Sequence, residues 1–178
     1  MILIRSILLT AAMILCGLAY SQTASLPVTM TLPVVTLMDI EPSGSISLNF
    51  IAPTEAGNSL TIPISNTSKW INYTSAIATG GLSRRITAAT NNTSIPGVSI
   101  RLQAGAATGA GGGTLGTSSG LVTLSPTPVT IISGIGGAFT GNGTSNGHQL
   151  TISLVISNYA LLTAQTNNSI SIVYTITE

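Results

Sequence analysis

LTISLVIS, residues 150–157, alternates apolar and polar side chains, with Leu150, Ile152, Leu154 and Ile156 at successive even positions. A period of two puts these side chains on one face of an extended strand, whereas a helix would scatter them around its axis. The same rhythm recurs outward from this stretch. Downstream it returns in Ile170, Ile172, Tyr174 and Ile176. Upstream it runs through Ile46, Leu48 and Phe50, then Leu60, Ile62 and Ile64, then Ile71, Tyr73 and Ile77, then Val98, Ile100 and Leu102. "LVTL" (121–124) and "VTII" (129–132) flank Pro126 and Pro128, and turn-forming "APTEAGN" and "NTSK" separate the earlier runs. No window carries the i, i+3, i+4, i+7 spacing of an amphipathic helix. The chain is therefore expected to be all-β, with about eight or nine strands at the spacing of a β-sandwich.

The opening residues predict export. Arg5 precedes an apolar run from Ile7 to Ala19, and Ala19-Tyr20-Ser21 sets small residues where a signal peptidase cuts. Residues 1–21 read as a signal peptide and 22–178 as one domain, large enough to bury a core of its own. Leu15 before Cys16 does not suit lipid attachment. With cleavage after Ser21 no cysteine remains, so no disulfide can staple the fold. No later stretch reaches the ~18–20 apolar residues of a spanning helix.

Charged residues make up 5 % of the chain, against about 25 % in a typical soluble domain. Lys69, Arg84, Arg85 and Arg101 stand against Asp39, Glu41, Glu55 and Glu178, so no strong field exists to steer nucleic acid. Groups for acid–base chemistry are equally scarce, and the expectation is a protein that is not an enzyme and holds no cofactor. The run Gly111–Gly116 matches G-x-G-x-x-G, but no helix is predicted after it and no acidic residue follows until Glu178. His148, the single histidine, is expected at an exposed strand start. Asp39 and Glu41 share a strand face that Pro42 ends, and with Glu55 they are the candidates for a calcium ion. Trp70 and Tyr73 are candidate contacts for a sugar ring, which makes a carbohydrate-binding module the alternative function.

Two glycine-rich stretches, residues 104–120 and 133–148, are read as long loops; if they share one end of the sandwich, binding is expected there. The remaining signal is "SLPVTMTLPVVTL", residues 25–37. Leu26, Val28, Met30, Leu32 and Val34 lie on one face of an edge strand expected over 26–37. Pro27 and Pro33 share the opposite parity, so both missing N–H donors fall on one side, and the other side keeps its full ladder. Such a strand either blunts a sheet edge or adds to the sheet of another subunit.

A signal peptide, an alternating N-terminal arm, a body rich in Gly, Thr, Ser and Asn, and the closing "NNSISIVYTITE" together resemble secreted bacterial pilin-like subunits and spore-coat-U-like surface proteins. "LMDIEPSGSISLNF" is likewise similar to secreted surface proteins of Gram-negative bacteria. The resemblance implies an immunoglobulin-like or related Greek-key β-sandwich, placed in the periplasm or on the outer surface and polymerised by donated N-terminal strands. Its partners would be further copies of itself, other surface subunits or glycans. The chain departs from many such pilins in lacking a cysteine pair and in setting Tyr174 four residues before its last residue, Glu178.

Overall fold

The computed structural model describes residues 22–91, 94–166 and 168–178. The expected signal peptide, residues 1–21, lies outside them. Nine strands form: β1 (Val35–Glu41), β2 (Asn66–Ala76), β3 (Arg84–Thr90), β4 (Val98–Thr108), β5 (Gly112–Ser118), β6 (Leu121–Thr123), β7 (Val129–Phe139), β8 (Gly147–Ile156) and β9 (Ile172–Thr177). A 3₁₀ turn, Tyr159–Leu161, is capped by the Asn158 side chain. Among the described residues no helix is long and apolar enough to cross a membrane.

The fold is an all-β sandwich in which every pairing is antiparallel. One half runs β1-β2-β8-β4-β6 and the other β5-β7-β3-β9. Thr74↔Phe139 and Ser75↔Ala138 join them into a single nine-stranded sheet. Only β1 and β2 are consecutive in the chain among paired strands, so the fold is assembled by long returns rather than by hairpins.

Alternation decides which face is buried. Ile71 and Tyr73 of β2, Leu102 and Ala104 of β4, and Leu150 and Ile152 of β8 meet Ile86 and Ala88 of β3 and Ile131, Ile132 and Ile135 of β7 in one core. Tyr174 and Ile176 of β9 and Met38 and Ile40 of β1 pack against its margin. At ~25 cal/mol per Å² of apolar surface removed from water, each fully buried Ile or Leu contributes about 1.5–3 kcal/mol.

The structure departs from the expected elements in four places. The strand expected over 26–37 forms only as Val35–Glu41, and residues 22–34 join no ladder. Pro27 and Pro33 offer no N–H, and alternation without a pairing partner does not make a strand. Ile46, Leu48 and Phe50 are half-buried and Ile46 and Leu48 touch the core, but their backbone joins no ladder. The run from Leu60 to Ile64 contributes only the bridge Ile51↔Thr61. Conversely, the two glycine-rich stretches are mostly strand, since β4, β5, β7 and β8 run deep into them. Ladder partners pin the backbone there: Leu115 pairs with Ile135 and Thr108 with Gly147.

Candidate functional site

β2 changes neighbours partway along its length. Its last pair with β8 is Ile71↔His148 and its first with β7 is Thr74↔Phe139. Between them Tyr73, whose backbone faces this edge while that of Asn72 faces β1, would be left with unmatched groups, a cost of ~1–3 kcal/mol for each one buried. Thr140, fully buried just past β7, closes this gap. The Tyr73 N–H donates to Thr140 Oγ1 at 3.0 Å, and the Thr140 N–H donates to Tyr73 O at 3.0 Å.

The loop from Thr140 to Asn146 then folds over the outer face of β2. Asn146 organises it: its Nδ2 donates to Asn142 O at 2.8 Å, and its Oδ1 accepts from the Ala110 N–H at 2.9 Å. The β4–β5 turn and the β7–β8 loop therefore meet at one end of the sandwich. Asn72 Nδ2 donates to Asn146 O at 2.7 Å, which fixes the orientation of the amide and leaves Asn72 Oδ1 buried without a partner. Gly147 closes the loop at φ +76°, and a Cβ there would lie 2.2 Å from Ile71 O. Only glycine allows β8 to leave the loop this close to β2.

Beside this loop lies an open groove of about 410 Å³. Its lining includes Leu37 and Asp39 of β1, Asn72 and Thr74 of β2, Phe139 of β7, and Gly141 and Asn142 of the loop. Register explains the layout. Leu37, Thr74 and Phe139 form one cross-strand row and Asp39 and Asn72 the next; on β1 and β2 these positions have parity opposite to the core-facing Met38, Ile40, Ile71 and Tyr73. Phe139 is 53 % exposed.

Beneath the groove, on the core side, Tyr73 and His148 stack with centroids 5.8 Å apart. The Tyr73 hydroxyl lies within hydrogen-bond distance of Leu115 O and 3.0 Å from His148 Nε2, to which its proton can be donated, while His148 Nδ1 donates to Gly105 O at 2.8 Å. Desolvation pushes the Tyr73 phenol well above its ordinary range. The expected exposed position of His148 is thus overturned: it is fully buried. Its polar ring is retained there because both nitrogens have partners.

The other sequence candidates are not brought together. Tyr73 is a core residue, buried and facing away from solvent, so it offers no sugar-stacking surface. Trp70, half-buried, sits three positions away on the opposite face of β2. Asp39 is exposed and Glu41 is the last residue of β1. Asp39, Glu41 and Glu55 form no three-carboxylate group, since the described residues contain no cluster of three or more His, Cys, Asp or Glu. Leu26, Val28, Met30 and Leu32 are each at least 83 % exposed, and Val34 is 58 % exposed.

Sequence reasoning missed two buried cations. Lys69 Nζ donates to the carbonyls of Pro42 at 2.6 Å, Ser43 at 3.3 Å and Gly44 at 2.8 Å. Arg84 Nη1 donates to Val35 O and, at 3.0 Å, to Ser75 Oγ, and its Nη2 lies 3.8 Å from Glu178 Oε1. Both cations hold β1: Lys69 at its end, Arg84 at its start. The only signal available in the sequence was that neither had a charged neighbour to pair with locally.

No family model, curated protein or solved structure matches the chain.

Proposed function

We propose that the protein is a non-catalytic extracellular or cell-surface subunit, structural or adhesive, that assembles by strand addition through its N-terminal arm. The observation that carries this reading is the arm itself. Leu26, Val28, Met30, Leu32 and Val34 form a single-faced apolar series, exposed and unpaired, in a chain with few charges to keep molecules apart. Its two prolines remove donors from one side only, which suits a strand that pairs along one edge. Such an edge is available, because β1, β5, β6 and β9 each have a ladder partner on one side only.

Full burial of each of these side chains contributes about 1.5–3 kcal/mol, so the five together supply on the order of 10 kcal/mol. Ordering the backbone costs ~1–2 kcal/mol per residue, which the new ladder must help to offset. The reading without catalysis is supported by the scarcity of acid–base pairs: the one imidazole is fully buried and hydrogen-bonded to backbone and Tyr73.

Electron microscopy and sedimentation of the chain beginning at Gln22 are expected to give filaments or higher oligomers. Removing residues 22–32, or the single change Met30→Asp, is expected to leave dispersed monomers. A wild-type chain that stays monomeric, or variants that assemble as well as wild type, would overturn the proposal.

A further inference from the structure

We infer that the groove beside the β7–β8 loop binds a neutral saccharide. The site is disjoint from the arm, and this inference names a ligand for an adhesive subunit without resting on strand addition. Its volume falls within the range of small-molecule sites.

The lining selects the ligand by elimination. No lysine, arginine or histidine lines the groove, so an anion finds no counter-charge. Asp39 is its sole carboxylate, too few for a divalent cation that takes six or more oxygens. A purely apolar ligand would strand Asp39 and Thr74 away from water. A sugar ring fits all of these features, because it carries hydroxyl donors around its rim and an apolar C–H face.

Phe139 supplies the apolar platform. Its ring lies over Gly112, with Cε1 3.2 Å from where a Cβ would stand, so the ring is held in place while half its surface stays exposed. Two strand spacings separate Phe139 from Leu37, about 10 Å across the floor of the groove. An acceptor comes from the adjoining row. Asp39 Oδ1 takes the Ile40 N–H at 2.7 Å, leaving Oδ2 for a ligand hydroxyl. The exposed hydroxyl of Thr74, in the row of Phe139, is a second polar contact.

The test is saturation-transfer NMR, which also works on large assemblies, with the methyl glycosides of glucose, galactose, mannose and N-acetylglucosamine as probes. At least one is expected to bind, with affinity lowered about tenfold by Phe139→Ala and by Asp39→Asn and unchanged by Trp70→Ala. Asp39 is exposed, so Asp39→Asn reads binding even if Phe139→Ala disturbs β7. The inference is overturned if no probe shows transfer at about 0.1 M, where even a ~10 mM Kd would be nearly saturated. It is also overturned if both groove variants bind like wild type, or if Trp70→Ala alone abolishes binding. Filaments without sugar binding would refute this site only, and sugar binding by a permanent monomer would refute the assembly reading only.

Discussion

Gly147→Ala and Gly134→Ala place the same methyl group on two glycines of nearly equal backbone conformation, φ +76° and φ +73°. At Gly134 nothing lies within 4 Å of the new Cβ, whereas at Gly147 it would stand 2.2 Å from Ile71 O and 3.1 Å from Asn72 Nδ2. The left-handed conformation costs an alanine ~1–2 kcal/mol at either site, and the lower entropy of the unfolded chain offsets ~0.4–1 kcal/mol of that. Gly134→Ala should therefore lose about 1 kcal/mol. At Gly147 the backbone must also retreat by about 1 Å to reach ordinary van der Waals contact. That movement strains the Ile71↔His148 pair and the Asn72–Asn146 hydrogen bond. Losing one or two buried hydrogen bonds adds ~1–3 kcal/mol each, for a total of about 2–7 kcal/mol. Urea denaturation followed by Trp70 fluorescence measures both variants against wild type, with the slope checked for constancy. Equal losses for the two alanines would refute the argument that close approach, rather than dihedral angle, requires glycine at the crossover.

Lys69→Met leaves three carbonyls without their ammonium donor and is expected to cost about 2–4 kcal/mol in the same denaturation assay; a loss below ~1 kcal/mol would mean that the turn after β1 does not depend on it. Arg84→Met should cost ~3–5 kcal/mol by stranding Val35 O and Ser75 Oγ, whereas Glu178→Gln removes only a half-exposed partner at 3.8 Å and should cost under ~1 kcal/mol. Burial pushes the Tyr174 phenol up from 10.0 to about 12. Above about pH 10 the unfolded chain loses that proton while the native chain keeps it, so stability is intact below pH 10 and falls toward pH 12, by up to ~1.4 kcal/mol per pH unit per phenol. Urea midpoints across this window should fall less steeply for Tyr174→Phe, and identical slopes would remove Tyr174 from the account. For the arm, Met30→Asp should leave the denaturation midpoint of the dispersed monomer unchanged while abolishing sedimentation as oligomer, and a lowered monomer midpoint would place Met30 in the fold rather than in assembly.

Sequence and structure part company at identifiable residues. Ile46, Leu48 and Phe50 alternate as well as Leu150, Ile152 and Leu154, and both sets turn one face inward. Only the second set belongs to a strand, because β4 and β2 lie alongside to take its backbone hydrogen bonds. The groove was legible only as two glycine-rich stretches that would mark a binding end if they shared one. Phe139 and Asn72 carried no signal of their own, since nothing local indicates that β2 passes from β8 to β7 between residues 71 and 74. Trp70 and Tyr73 are both aromatic, yet their odd separation on one strand puts them on opposite faces.

By itself the sequence determined the all-β class, the inward face of most strands, the poverty of charge and the apolar series of the arm. These follow from local side-chain chemistry repeated at a period of two. Tertiary structure alone decided which extended segments became strands, why glycine-rich stretches are ordered, and where Lys69, Arg84 and His148 are buried. The physical reason is that a strand is stabilised by a neighbour's backbone, and here nearly every neighbour is far away along the chain.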